Sequence, residues 1–308
     1  MKKTPRLWYV LMRKAFIASG GLTNDFVNFV LKKMRPFQLP KTPVNGVLGR
    51  IDRGSLSDII GEIEKKGFYV FESTLPEATI ESIVNYSTSL KCEATGLEGQ
   101  YTPNEIPGRP RYHFFPNDLL GSSEISNLVT DETLYIVAGA YLGANPIWDM
   151  VAMWWSYPSR EHRSEAAQLF HFDMDRFKFI KFFFYLTDVT EETGPHCYIQ
   201  SSHRRLPWRF RKEGRFADGV LEKYYGEEKI KYFTGRKGTI IAVDTRGFHK
   251  GVPLVRDNRL ILQVEFANSL FGMWYPPLDP QKINPQAKAR FLEKPETYLQ
   301  IFSSEPLT

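Results

Sequence analysis

The spacing of apolar residues changes character about half-way along the chain. In the first half it is helical. Phe26, Val27, Phe29, Val30 and Leu31 fall at helix-like intervals before Pro36, Pro40 and Pro43 interrupt any continuation. From Ser55, the residues Leu56, Ile59, Ile60 and Ile63 repeat at three-to-four spacing and stop at Gly67. Phe68-Tyr69-Val70-Phe71 then reads as a short strand. A second helix is expected from Pro76-Glu77 through Ile80, Ile83 and Val84, and a further one over about residues 131–142, closed by Gly143. In the second half, β-branched and aromatic runs at 150–155, 177–187, 239–243 and 260–266 are separated by Gly-, Pro- and Asp-containing turns. Strands at such spacings without intervening helices predict an antiparallel sandwich or barrel of jelly-roll type. The expected fold class is therefore α+β, with N-terminal helices packed on the sheet. Residues 1–45 form a helical annex and residues 46–308 one domain.

Composition narrows the setting. At 308 residues and 42% apolar content the chain can bury a sizeable core, and its 23 Phe suit a β-rich interior. Two cysteines, Cys92 and Cys197, favour a reducing, cytoplasmic compartment over a secreted, disulfide-stapled one. No apolar run reaches the ~18 residues of a spanning helix. The run Leu7-Trp8-Tyr9-Val10-Leu11-Met12 loosely imitates a signal peptide, but Arg13 and Lys14 break it. The annex ordinarily covers a sheet, and its amphipathic, basic face leaves a membrane-surface role open. Net charge is +5, with basic and acidic residues interspersed along most of the chain, which favours an anionic small-molecule substrate over nucleic acid. The densest basic stretch, from His203-Arg204-Arg205 to Lys212 with Trp208 and Phe210 interleaved, reads as a solvated loop bordering the mouth of a site.

The chemistry concentrates at Phe170-His171-Phe172-Asp173. On extended backbone, side chains two residues apart leave the same face, so His171 and Asp173 can converge on one ion. His249 sits just beyond the strand at 239–243 and offers a third ligand. Two imidazoles and one carboxylate on a single face leave three positions of an octahedral metal open, the arrangement of Fe(II) enzymes that take a bidentate co-substrate and then oxygen. Ten residues after His249, Arg259 opens a strand whose Arg259, Ile261, Gln263 and Glu265 share one face. Turned inward, that face offers a guanidinium fork to a carboxylate.

These residues resemble the phytanoyl-CoA dioxygenase family of Fe(II)/2-oxoglutarate oxygenases. The resemblance runs through His171-Phe172-Asp173, the stretch Phe182-Phe183-Phe184-Tyr185-Leu186-Thr187-Asp188-Val189 with Thr193-Gly194-Pro195, and Gln200-Ser201-Ser202-His203-Arg204. It continues in Gly238-Thr239, His249-Lys250-Gly251 and Arg259, with the helix-strand-helix of residues 57–89 as the usual entry. It implies a double-stranded β-helix (jelly-roll, cupin-like) core, iron held by His171, Asp173 and His249, and 2-oxoglutarate anchored by Arg259. The implied reaction is hydroxylation with Fe(II), 2-oxoglutarate and O2, releasing succinate and CO2; the carboxylate at 173 speaks against the related halogenating enzymes, which lack it. Ser201 stands where the family motif has Gly. The His249–Arg259 spacing is one residue shorter than the commonest form, so Arg256 stays open as a second anchor.

Other residues keep two readings. Lys181 either lies on a solvated face of its strand or reaches a carboxylate such as 2-oxoglutarate. His196 and His203 flank Cys197, but without paired-cysteine spacing a zinc site is rejected in favour of polar surface. Of Trp154 and Trp155, one faces inward and could line a pocket. Arg109 and Arg111 could contact an anionic substrate, the ordinary role being exposed loop. His113 and His162 receive no role. The rival to the oxygenase is a non-catalytic jelly-roll binding protein with a degenerate or structural metal site. Substrate identity and oligomeric state are not legible in these residues.

Overall fold

The computed structural model describes residues 7–302 except 95, 103, 104, 106–109 and 159–168; Arg109 and His162 lie outside the described residues. Helices α1 (Leu7–Ser19) and α2 (Leu22–Met34) form a hairpin, followed by a small ribbon of β1 (Val44–Gly46) and β2 (Gly49–Ile51). Then come α3 (Arg53–Lys66), β3 (Phe68–Thr74), α4 (Glu77–Thr88), β4 (Cys92–Ala94) and β5 (Arg111–Phe114). Three helices follow, α5 (Pro116–Leu119), α6 (Ser123–Val129) and α7 (Glu132–Leu142), and then β6 (Ile147–Ser156), β7 (Phe179–Tyr185) and β8 (His196–Ile199). After α8 (Asp218–Tyr225) come β9 (Ile230–Phe233), β10 (Thr239–Val243), β11 (His249–Gly251) and β12 (Arg259–Ala267), and α9 (Pro285–Glu293) and α10 (Pro295–Tyr298) close the described chain.

The expected helices end where local chemistry stops them. Asp52 caps α3 by accepting from the Ser55 amide, and Gly67 ends it in the left-handed region at φ 93°. Asp131 caps α7 through the amides of Thr133 and Leu134, and Gly143 terminates it at φ 69°. The annex is two helices meeting at Gly20 and Gly21, both at positive φ, and the signal-like run is the start of α1. Strands β4 and β5 were not anticipated, because three- and four-residue edge strands are too short to show a period.

A seven-stranded antiparallel sheet runs in the order β3-β10-β7-β12-β6-β5-β4, and a three-stranded sheet in the order β11-β8-β9. An antiparallel bridge between His171 and His249 lays the 170–171 segment beside β11, extending the smaller sheet. Helices α3 to α7, α9 and α10 cover one face of the large sheet, where Ile180, Phe182 and Phe184 of β7 join the main core. On the other face Phe183 and Tyr185 meet Tyr198 and Phe233 of the smaller sheet. Every residue of β7 is buried, so its sequence is apolar throughout but for Lys181. A third cluster, with Phe170, Phe210, Phe216 and Phe248, takes in Phe16 of α1 and binds the hairpin to the body.

The basic stretch 203–212 is not a free loop. Arg204 donates to the Glu64 carbonyl, Arg211 to that of Ala18, and Arg205 pairs with Asp25, so the segment clamps α3 and the hairpin. Trp208 stays far out, at 77% exposure.

Candidate metal centre

The segment before β7 and the turn after β10 are each fixed before they present a ligand. The backbones of residues 171 and 249 exchange both hydrogen bonds, at 3.0 and 2.8 Å, and the Asp173 amide donates to the Thr245 carbonyl at 2.8 Å. Ahead of His249, the fully buried Asp244 accepts from Arg246 Nε and Nη2 and from the Tyr141 hydroxyl, while the Tyr198 hydroxyl donates to the Asp244 carbonyl. Gly247 is required by close approach: a Cβ there would fall 2.1 Å from the Tyr198 oxygen. Ser201, where a Gly was expected from the resemblance, does adopt φ 68°. Its hydroxyl donates to the Lys65 carbonyl at 2.7 Å and its amide to that of Lys66, bonds to the end of α3 that offset the left-handed strain.

His171, Asp173 and His249 converge, with one donor atom from each lying within 4.8 Å of the others. His171 Nε2 is 3.8 Å and His249 Nε2 3.5 Å from the Asp173 carboxylate. Both Nδ1 atoms face backbone carbonyls, of Leu169 at 2.9 Å and of Gly247 at 3.0 Å. Those carbonyls fix the Nδ1–H tautomer and leave the Nε2 lone pairs turned inward. Burial pushes the His171 imidazole down to about 3, with His249 adding to the effect, and burial likewise lowers His249. Burial would raise Asp173, but Lys181, His249 and His171 outweigh it and hold the carboxyl well below its usual range. Two neutral imidazoles beside an ionised carboxylate are the protonation states a divalent cation requires.

These residues line a cavity of about 140 Å³ together with Arg111, Trp154, Lys181, Phe183, Tyr185, His196, Gly251, Arg259, Ile261 and Gln263. Arg259 is 3% exposed. Its Nη2 makes a long contact of 3.4 Å to Ser156 Oγ, while Nε and Nη1 are buried with no protein partner. Burial pulls the guanidinium down to about 10, with Tyr185 opposing. Trp154 Nε1 and His196 Nε2 are also buried without partners. Unsatisfied buried donors gathered on one cavity call for a ligand. The residues present thus fit both a divalent metal and an anionic co-substrate.

Arg256 is elsewhere: it is exposed and paired with Glu192. Lys181 is not on a solvated face. It is buried, 2.8 Å from Asp173, 3.2 Å from Asp175 and 3.5 Å from Glu265, because β7 turns residues 181, 183 and 185 into the space between the sheets. Trp154 is the inward tryptophan and stands under Arg111, whereas Trp155 packs on the helical side. The reading of His196 as polar surface is overturned. It lies in β8, stacked 5.4 Å from His249 and 5.7 Å from Phe233; the alternation of His196 and Tyr198 with apolar Cys197 and Ile199 was the available signal. His203 Nδ1 is buried near Gly67, away from the cavity.

A second, mostly apolar cavity of about 440 Å³ adjoins the first, lined by Met150, Ala152, Met273, Trp274, Tyr275 and Phe302 among others. The linings of the two touch, Gln263 Nε2 of the first lying 3.8 Å from Met150 Sδ of the second. Its charged lining residues, Asp149 and Arg176, satisfy each other in a buried pair at 2.6 and 2.7 Å.

Among solved structures, the chain resembles SnoN, the non-haem α-ketoglutarate-dependent epimerase of nogalamycin biosynthesis, at 15% identity and TM-score 0.53 over 70% of this chain and 84% of that one. The chain shares that fold. A further likeness is HygX from Streptomyces hygroscopicus with nickel and 2-oxoglutarate bound, at 15% identity and TM-score 0.50 over 73% and 90%. EvdO2 from Micromonospora carbonacea var. aurantiaca, complexed with 2-oxoglutarate, matches at 18% identity and TM-score 0.50 over 72% and 92%. No family model matches the sequence, and no curated protein does.

Proposed function

We propose that the protein is an Fe(II)- and 2-oxoglutarate-dependent dioxygenase of the phytanoyl-CoA dioxygenase type, hydroxylating a small molecule. The catalytic domain of this reading spans residues 46–308, with residues 1–45 as an annex. The sheet order β6-β12-β7-β10, facing β11-β8-β9 and the 170–171 segment, supports a double-stranded β-helix core. The observation that carries the proposal is the meeting of His171, Asp173 and His249 in the same cavity as the guanidinium of Arg259, whose Nε and Nη1 are buried without partners. Bound iron with 2-oxoglutarate would supply the activation of O2, with succinate and CO2 as co-products.

The chain's own residues do the rest. His171 and His249 present Nε2 because their Nδ1 atoms are engaged, and Lys181 keeps Asp173 ionised and pinned at Oδ2. Arg259, held by β12, would take the distal carboxylate of the co-substrate through Nε and Nη1, with Ser156 and Tyr185 beside it. Lys181 is a weaker candidate for that contact, since three carboxylates already surround it. The phenyl ring of Phe183 and the indole of Trp154 limit water around the centre. The adjoining apolar cavity favours a substrate with an apolar body over the small anion suggested by overall charge, because its lone ion pair is already closed.

The test is succinate release from 2-oxoglutarate with Fe(II) and O2 across a metabolite panel weighted to apolar compounds. Turnover that depends on iron and on one class of compound supports the reading. No succinate with any compound, together with tight Zn(II) retention by folded protein, would establish the binding-protein alternative.

A further inference from the structure

Helix α2 is built inside out. Leu22, Phe26, Phe29, Val30 and Met34 recur at positions i, i+4, i+7, i+8 and i+12, one stripe of an α-helix, and all five are exposed, Phe26 at 69% and Met34 at 71%. Its inward side carries Asn24, whose amide donates to the Phe177 carbonyl at 3.0 Å, and Asn28, which accepts from Asn268 at 2.9 Å. On α1, Tyr9, Met12 and Phe16 are buried while Leu7, Trp8 and Leu11 face out. Eight large apolar side chains on one hairpin therefore meet solvent, more than a monomer's scattered surface residues explain.

Charge picks out the occupant. Residues 1–36 hold eight Lys and Arg against one Asp; the whole chain holds 40 basic and 35 acidic residues, so residues 37–308 carry 32 basic and 34 acidic ones. The excess positive charge of the protein thus belongs entirely to this segment. Lys14, Lys32 and Lys33 are exposed on the hairpin, and Lys33 lies over the Phe29 ring at 5.8 Å. Asp25 is already paired with Arg205. A second copy of the same surface would set this charge against itself, whereas an anionic lipid surface complements it. Among the described residues, no helix is long and apolar enough to cross a membrane, so the mode is docking in the interface plane.

We infer that the α1–α2 hairpin is an interfacial docking surface for an anionic lipid bilayer. The hairpin touches the site through Phe16, whose ring centroid lies 5.8 Å from that of Phe172, the residue between His171 and Asp173, and through Met12 beside Gly272 in the loop that lines the apolar cavity.

The test is co-sedimentation of the full chain with vesicles of phosphatidylcholine alone and of phosphatidylcholine mixed with phosphatidylglycerol. Binding to the mixed vesicles is expected, weakened by salt, with little binding to the neutral ones. Phe26→Ser and Phe29→Ser should each lower partitioning about tenfold or more, with unchanged circular dichroism and Tm because both side chains are exposed. Lys32→Ala with Lys33→Ala should lower it roughly thirtyfold, from about fivefold per charge, and serves if the Phe variants misfold. Absence of binding by folded wild type overturns the inference, as does equal binding to both vesicles without salt dependence. Self-association in sedimentation velocity, abolished by the Phe substitutions and unaccompanied by vesicle binding, overturns it in favour of a second copy.

Discussion

Arg259→Met separates folding from function at a single side chain. The guanidinium is 3% exposed, held at about 10 by burial, and lacks protein partners on Nε and Nη1. A cation whose folded pKa lies below its unfolded value destabilises the fold throughout the pH range below that folded pKa. With each pKa unit equivalent to ~1.4 kcal/mol, the cost at pH 7 is roughly 3 kcal/mol. Methionine fills much of the same volume without charge. Allowing ~1–2 kcal/mol for imperfect packing and the weak Ser156 contact, the apo variant should be more stable than wild type by about 1–2 kcal/mol. The bound state should reverse the order, because truncating one partner of a buried charge pair costs ~2–5 kcal/mol, or about thirtyfold to several-thousandfold in 2-oxoglutarate affinity. Urea unfolding of both proteins, with and without saturating 2-oxoglutarate and an inert divalent metal, reads both effects. Wild type should gain ~2.7 kcal/mol at a hundredfold excess over its Kd, and the variant no more than about 0.9 kcal/mol at the same concentration. A variant less stable than wild type when apo, yet equally stabilised by 2-oxoglutarate, would refute the reasoning.

Further expectations follow from the same geometry. His171→Ala should abolish iron-dependent 2-oxoglutarate turnover while leaving the far-ultraviolet circular dichroism spectrum unchanged; retained turnover would remove His171 from the ligand set. Lys181→Met leaves Asp173, Asp175 and Glu265 crowded without their cation and should cost about 3–5 kcal/mol in urea unfolding; a loss under 1 kcal/mol would show the cluster to be neutral without Lys181. Burial would raise Asp244, but Arg246 outweighs it and holds the carboxyl at about 2. Because the folded value lies below the unfolded one, its stabilisation of roughly 2–3 kcal/mol is complete above about pH 4 and is lost as pH falls towards 2. The gap between wild type and Asp244→Asn should shrink over that window, and a pH-independent gap would contradict the pairing. Ser201→Val puts a β-branched residue at φ 68° and removes the Lys65 bond, for an expected loss of about 2–3 kcal/mol; Ser201→Gly should be within about 1 kcal/mol of wild type.

The residues most legible in the sequence are those whose signal is local. His171 and Asp173 share a face through their two-residue spacing, Arg259 starts an alternating strand, and Asp131 and Gly143 bracket α7 through capping chemistry that needs no tertiary context. His196 was misread because its neighbours suggested a turn, while its position depends on β8 pairing with β11, a contact between distant segments. Lys181 was ambiguous for a related reason: β7 is apolar on both faces, so only the register with Glu265 reveals that residue 181 points between the sheets. The exposed stripe of α2 was visible as a helical period. Its direction was not, since an apolar stripe ordinarily faces the core and two asparagines, hydrogen-bonded to residues 177 and 268, turn it outward.

The central claim is that His171, Asp173 and His249 form one iron site that accepts 2-oxoglutarate beside Arg259. Its most direct test is the visible spectrum of anaerobic protein with Fe(II) as 2-oxoglutarate is added. The account predicts a weak charge-transfer band that titrates with the co-substrate and is missing in His171→Ala. A folded wild-type protein that stays colourless under saturating Fe(II) and 2-oxoglutarate would contradict it.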